Sequence, residues 1–400
     1  MTHSQELPLF PFTGPADRPR DREGERLRET APVVRARLAD GTPVWVALSH
    51  SATRQVLTTP VFSRGAAMLP GAPVLGEGMA LPSMISSMEG PEHSRIRRLI
   101  TRAFSPRMVD TMTPWITELV VELLDGLAAG PQPADLVAGL TEPLPIRVIC
   151  RLLGVPRADA GRFSAWTGLL ATAGSPDGVE AAFGALRAYI DRLVGEKRRS
   201  PGDDLTSELT LLADETGAVD QEQLVNNLVL LLGAGYETTV EQLGHSLFAL
   251  LAEREHYARL CREPELVGNA VEELLRHALL MPTGTLVRVA TEDIELGGRP
   301  VRAGDGVVAL PHVANHDPEA FADDPGTLDL ARADASRHLS FGAGAHFCVG
   351  AQLARAEMRI TVAELVRRHP GAVLAVDPGA VEWKTGALTR GPVRLPVALA

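Results

Sequence analysis

Phe341-Gly342-Ala343-Gly344-Ala345-His346-Phe347-Cys348-Val349-Gly350 runs directly into the helical pattern Ala351-Gln352-Leu353-Ala354-Arg355. Three glycines around a single cysteine, just ahead of a helix, describe a tight loop whose backbone can approach something flat and large. The spacing puts Cys348 where the helix begins, and the unpaired N–H groups there favour a thiolate, the metal-binding form of cysteine. A cysteine thiolate is one of the few protein ligands of haem iron. On the loop alone, a buried structural cysteine in a glycine-rich turn is the plainer reading.

The 400-residue chain is 45% apolar and 22% charged, enough to bury a large core, and its length fits one domain or several. Its formal net charge of -11 argues against general binding to nucleic acid or to a membrane surface, which needs a basic excess. The cysteines, Cys150, Cys261 and Cys348, are odd in number and widely spaced, with no CxxC. Neither a disulfide framework nor a zinc site is expected, and a reducing cytoplasm fits. Met1 to Phe12 lacks the basic and apolar segments of a signal peptide. The longest apolar run, Leu228 to Leu232, is far shorter than the roughly 20 residues of a membrane span. A soluble, cytoplasmic monomer is expected.

Outward from the cysteine loop, β-rich runs lie far apart in the chain. Val33 to Leu38 and Pro43 to Leu48 read as a hairpin across Ala39-Asp40-Gly41-Thr42; Leu286 to Ala290, Ile294 to Leu296 and Gly306 to Leu310 form a second group, with a turn at Gly297-Gly298. Ala372 to Val376 and Val393 to Val397 form a third. Helical patterns fill the rest: about Pro91 to Phe104, Pro106 to Ala129, Leu136 to Leu153, Ala158 to Leu170, Val179 to Arg199, Asp220 to Ala252, Glu265 to Leu280 and Cys348 to Arg368. The sum is an α+β, predominantly α-helical domain spanning residues 1–400 with no dividing linker. Ala66 to Ser87 has no steady period, and Met68, Met79, Met84 and Met88 in and beside it suit a wall around an apolar ligand or an ordinary surface loop.

Asp220 with Gln223 reads as a capping box opening the longest helix, which is apolar on all sides from Leu228 to Leu232. Gly233-Ala234-Gly235-Tyr236-Glu237-Thr238-Thr239 follows. Each glycine weakens a helix by roughly 1 kcal/mol against Ala, a Glu in a dry place is costly, and Thr hydroxyls can bend the backbone. Either the helix opens here and offers an acid and an alcohol to a small ligand, or the glycines allow close packing and Glu237 reaches water. Glu273 and Arg276 are spaced to pair on one helix face, with Arg332 a candidate third member; a solvated surface pair is the simpler alternative. His93 and Arg97 share one face of their helix, Arg95, Arg98 and Arg102 another. Arg288, flanked by Val287 and Val289 in a strand, is a further anion-binding candidate, although solvation suits any one of these basic residues taken singly.

Taken together, these residues give the chain a resemblance, over nearly its whole length, to the bacterial soluble cytochrome P450 haem-thiolate monooxygenases. Phe341 to Gly350 resembles the family's cysteine signature, Glu273-Leu274-Leu275-Arg276 its ExxR pair, and Ala234-Gly235-Tyr236-Glu237-Thr238 its oxygen-activating segment, in the family's order. The resemblance implies the family's fold: a long central helix, haem b (iron protoporphyrin IX) between it and the cysteine loop, and small β-sheets. It makes Cys348 the axial ligand and matches His93, Arg97, Arg288 and His346 to positions that bind the haem propionates. Glu273, Arg276 and Arg332 hold the structure behind the haem, and Glu237 and Thr238 match the pair that delivers protons to dioxygen. Two departures touch none of these residues: Ala345 where relatives often have Pro or Arg, and Asn315-His316-Asp317-Pro318 for the more usual Asn-Arg-Asp-Pro.

By the same resemblance, the substrate pocket is lined by Met84, Ile85, Leu231, Ala234, Gly235, Thr283, Gly284, Ala387 and Leu388. The local basic face of Arg95, Arg98 and Arg102 on an acidic chain is expected to form part of a patch on the cysteine side that docks an acidic ferredoxin or flavodoxin. The expected reaction is O2-dependent hydroxylation or epoxidation of a mostly apolar small metabolite, with electrons from NAD(P)H, in secondary-metabolite biosynthesis. Oxidative coupling or ring formation at the same haem is the alternative, and a non-enzymatic haem sensor a third.

Overall fold

The computed structural model describes residues 6–12, 20–75, 81–171, 176–217, 219–385 and 388–399. Met79 and Ala387 lie outside them. The chain divides into a sheet unit (Met1–Pro82, Ser86–Glu89 and Glu272–Cys348) and a helical unit (Ser83–Ile85, Gly90–Val271 and Val349–Ala400).

The sheet unit is built on five strands in the order Val33–Arg37, Pro43–Ala47, Gly306–Ala309, Arg288–Ala290, Phe62–Ser63. The first two form the expected hairpin, with Val34 opposite Val46. Pro43–Ala47 then pairs in parallel with Gly306–Ala309, Val44 opposite Gly306, and the remaining pairings are antiparallel. Alternate residues feed two cores. Val33, Ala47 and Val307 pack with Val56, Leu296 and Leu339 on one face, while Ala36, Val44, Val46 and Val308 pack with Phe10 and Leu48 on the other. Apolar packing on both sides explains why these strands read as nearly continuous apolar runs. Ile294–Leu296 and Arg299–Val301 form a separate ribbon whose turn, Gly297-Gly298, uses positive φ at both residues. Three helices not expected from the sequence belong here among the described residues, one of them the single turn Pro311–Ala314. Arg22–Thr30 is capped by the Asp21 carboxylate on the Gly24 N–H, and His50–Thr58 by the Ser49 hydroxyl on the Ala52 N–H.

The helical unit contains Gly90–Ala103, Pro106–Ala129, Pro143–Leu152, Ala160–Ala171, Pro176–Arg199, Leu205–Thr216, Gln221–Ala252, Arg254–Arg262 and Ala351–Arg368, with a three-stranded sheet of Ala134–Asp135, Pro396–Ala398 and Val373–Leu374. Leu205–Thr216 and Arg254–Arg262 were not expected, and the helix expected over Leu136 to Leu153 is two elements: a π-helical turn at Val137–Thr141, then Pro143–Leu152. Pro143 is the reason. It has no N–H to donate backwards but is well suited to a helix's first position. The capping box holds: Asp220 accepts from the Gln223 N–H at 2.8 Å, and the Asp220 N–H donates to Gln223 Oε1 at 3.3 Å. Among the described residues, no helix is long and apolar enough to cross a membrane.

Candidate functional site

The sheet unit carries the cysteine loop. Cys348 is exposed, and its N–H donates to Phe341 O at 2.9 Å, closing the loop on itself. The expected helix start at Cys348 is corrected: the helix is Ala351–Arg368 with Gly350 as N-cap, because the Cys348 amide is already committed to the loop. Gly342 and Gly344 both adopt positive φ. A Cβ on Gly344 would lie 2.8 Å from Leu57 O, so this glycine is required twice over. His346 follows in a short 3-10 turn, Gly344–His346, and is partly buried.

Behind the loop, Arg276 is fully buried, and each of its five N–H groups has an acceptor. Nε and Nη2 reach the two oxygens of Glu273 at 2.6 and 2.7 Å, Nη1 reaches Asn315 O at 2.7 Å and Pro325 O at 2.8 Å, and Nη2 also reaches Thr327 O at 3.3 Å. Arg332 Nε donates to Glu273 Oε1 at 3.1 Å, and its other nitrogens take the carbonyls of Ala322 and Asp324. This is a buried network, unlike a solvated surface pair.

Arg288 is buried, with Nη1 donating to Phe62 O at 3.1 Å. Its Nε and Nη2 are buried without a protein partner. Burial pushes its pKa down to about 10, with Glu89 pulling the other way. Guanidinium nitrogens in that position call for an anion. Arg64, which sequence reasoning did not single out, adds a second charge: its Nε is also buried and unpartnered, and burial and Arg288 hold its pKa down to about 9. An exposed thiol in a glycine cradle and a buried arginine with unused donors fit a thiolate-ligated group bearing carboxylates. Thr283 and Gly284 also belong to this unit; a Cβ on Gly284 would come 2.4 Å from Ala309 O, so packing accounts for that glycine.

In the helical unit, Gln221–Ala252 is one continuous helix, so of the two readings of its glycines the structure favours close packing over an opening. Thr238 and Thr239 donate to Ala234 O and Gly235 O at 2.6 and 2.9 Å within the intact coil. A Cβ on Gly235 would stand 3.2 Å from Ile149 Cδ1, so this glycine serves close helix packing as well. Ala234 is exposed and Glu237 and Thr238 are partly buried, on a helix otherwise lined with buried residues. Burial raises the Glu237 pKa above the usual carboxylate range, against the pull of Lys384. His93 is buried and Arg97 half-buried on their common face, while Arg95, Arg98 and Arg102 are exposed; Arg102 Nε lies 3.8 Å from a Glu208 carboxylate oxygen.

Met84 is fully buried, Ile85 and Leu231 nearly so, and Leu388 is 50% exposed. Asn227 Oδ1 accepts from the Ile85 N–H at 2.8 Å, and Asn226 Nδ2 donates to Ser83 Oγ at 2.8 Å, so two asparagines in the dry stretch of the helix fix the methionine segment. Also unforeseen is Glu241, buried one turn beyond Glu237 and 2.5 Å from Lys384 Nζ. The signal available was a second carboxylate at i+4 on an apolar helix.

The family model described as Cytochrome P450 matches residues 177–372. Nocardicin C N-oxygenase of Nocardia uniformis subsp. tsuyamanensis is 44% identical over 93% of each chain. Mycinamicin IV hydroxylase/epoxidase of Micromonospora griseorubida is 39% identical over 94% of each. Among solved structures, cytochrome P450mel 107F1 with biaryl coupling reactivity superposes with a TM-score of 0.92 at 34% identity, covering 98% of this chain and 99% of that one.

Proposed function

Because this chain belongs to the cytochrome P450 family, with that family's fold and a haem-thiolate monooxygenase activity, we propose that it binds haem b and hydroxylates or epoxidises a mostly apolar small metabolite of a secondary pathway. The observation that carries the reading is Arg288, buried with two guanidinium nitrogens unused, in the same unit as the exposed Cys348 loop. Bound haem supplies the redox centre for O2-dependent oxidation. Cys348 gives the thiolate ligand, and Arg288 and His346, together with His93 and Arg97, take the propionate carboxylates. Glu273, Arg276 and Arg332 brace the loop.

Glu237 acts as the acid. Its burial keeps a proton on the carboxyl closer to neutral pH than an exposed glutamate would. As the Thr238 hydroxyl, held in place by its bond to Ala234 O, gives up its own proton on the ligand side, Glu237 would replace it. Met84, Ile85 and Leu231, with Ala234 and Gly235, form the apolar lining, and Leu388 lies on the C-terminal tail. Residues 1–400 act as one cytoplasmic domain, taking electrons from NAD(P)H through a ferredoxin or flavodoxin.

The deciding experiment is the absorption spectrum of the reduced, carbon monoxide-bound protein. A strongly red-shifted main band that disappears in Cys348→Ser is expected; an ordinary haem band in the unmutated protein overturns the assignment. Oxidative coupling is the second reading, favoured by the close fit to a relative with biaryl coupling reactivity. Product mass separates the two, since oxygenation adds an oxygen and coupling removes only hydrogens.

A further inference from the structure

The C-terminal tail folds back as a hairpin in which Trp383 bridges Pro392 and the Lys384 N–H donates to Gly391 O at 2.9 Å. The two arms enclose one side chain of the long helix. Lys384 Nζ stands 2.5 Å from Glu241 Oε1, and a Cβ on Gly391 would come 1.7 Å from Glu241 Oε2. The Glu241 side chain is 1% exposed and that of Lys384 27%. Glu237 lies one turn earlier on the same helix, at the i, i+4 spacing that puts the two carboxyls on one face, and Lys384 and Glu241 both act on its charge.

Two carboxyls and one ammonium in a dry place balance their charge when the carboxyls hold one proton between them. We propose that Glu241 and Lys384 form a relay that reloads Glu237 with protons, making the hairpin part of the proton supply of the reaction. This rests on the role proposed for Glu237. Lys384 Nζ gives a proton to Glu241 Oε1 as it takes one from water at its exposed side, and Glu241 gives one to Glu237 as Glu237 passes its own to Thr238. Each transfer moves one proton and no electron, and the three groups end as they began. Burial pushes the Glu241 pKa up to about 7, with Glu237 adding to the rise and Lys384 opposing it. Glu142 is the other charge acting on Glu237 and Lys384. A simple ion pair stapling the hairpin to the helix would have no need of the second carboxyl.

Two readouts test the relay, with haem content and thermal midpoint measured for every variant. The first is the infrared carboxylic-acid band, titrated with pH. A single shared proton near neutrality is expected, with its band changed by either Glu237→Gln or Glu241→Gln; a titration untouched by Glu241→Gln overturns the proposal. The second is NADPH-driven oxygen consumption through a plant-type ferredoxin and its reductase, in water and in deuterium oxide. Glu241→Gln and Lys384→Met should each slow it about tenfold with a larger solvent isotope effect, and Lys384→Arg, which keeps the charge but does not give up a proton, should not restore the rate; a rate restored by arginine overturns transfer through Lys384. Wild-type rate and isotope effect in Glu241→Gln, with Glu237→Gln impaired, overturn the relay and leave the role of Glu237 standing. Wild-type behaviour in both removes that role as well. Should Glu241→Gln not fold, Lys384→Met decides: a wild-type rate overturns the relay.

Discussion

Arg276 engages all five of its donors with Glu273 and with the carbonyls of Asn315, Pro325 and Thr327. Lysine has three donors and no planar fork, so Arg276→Lys would leave Glu273 half-paired and at least one carbonyl without its Arg276 donor. We expect a loss of about 3–5 kcal/mol, the usual cost of breaking a buried pair, measured by denaturant unfolding. At this scale the residues legible in the sequence were those whose partners sit within one turn or one motif: Cys348 in its glycines, Glu273 with Arg276, Glu237 with Thr238. Glu241 and Lys384 were not legible because 143 residues separate them and no local pattern announces that a tail will fold back onto a helix.

Among the elements, the hairpin at Trp383–Pro392 makes a sharp demand on one position. Gly391→Ala places a methyl where Glu241 Oε2 now lies, so either the hairpin lifts or the carboxylate moves. Thermal unfolding should show a loss of about 1–3 kcal/mol, typical of overpacking; an unchanged midpoint would mean that the arms are not held together as described. The longest helix was legible because its capping box and apolar run are local signals. Arg22–Thr30 was missed because only Gly24 and Glu25 within it are buried, so it lacks an apolar stripe. The division at Pro143 was missed because apolar spacing continues across it while the backbone bonding does not.

For the molecule as a whole, four of the sheet's five strands were legible, the two-residue strand Phe62–Ser63 being too short to show a pattern. The sheet itself was not, since its order joins Pro43–Ala47 to Gly306–Ala309 and nothing local encodes that register. Acid sensitivity also belongs to this scale. Burial, with Arg276 beside it, pushes the His277 pKa down to about 4, and burial with His277 and Arg276 nearby holds His316 well below the usual range. Both folded-state values are depressed below about 6.5, so their contribution is complete above pH 6.5 and is lost as pH falls towards 4. Glu357, raised to about 8 by burial, has the opposite sign: it weakens the fold as pH rises from about 4.5 to 8. Comparing His277→Gln with the wild type isolates the histidine effect; the variant should lose less stability between pH 6.5 and 4.5, by about 1–3 kcal/mol. Equal slopes would show that His277 is solvated. Elsewhere on this acidic chain, Arg95 and Arg98 are exposed on one helix face. Reversing both charges should slow reduction by an acidic ferredoxin several-fold at low salt, with the difference shrinking as salt rises. Unchanged stopped-flow reduction would place docking elsewhere.

The carbonyls that Arg276 gathers come from the stretch Asn315–Thr327, and Glu273 adds the Asp329 N–H at 3.0 Å. That stretch has little regular structure of its own, so its order depends on two guanidiniums, Arg276 from the helix Val267–His277 and Arg332. In amide hydrogen exchange, the Asp329 and Arg332 N–H groups should therefore exchange only when the whole sheet unit unfolds, as slowly as the amides of Gly306–Ala309, even though they lie in a loop. In Arg276→Lys the two should part, the loop amides exchanging early while the strand stays protected.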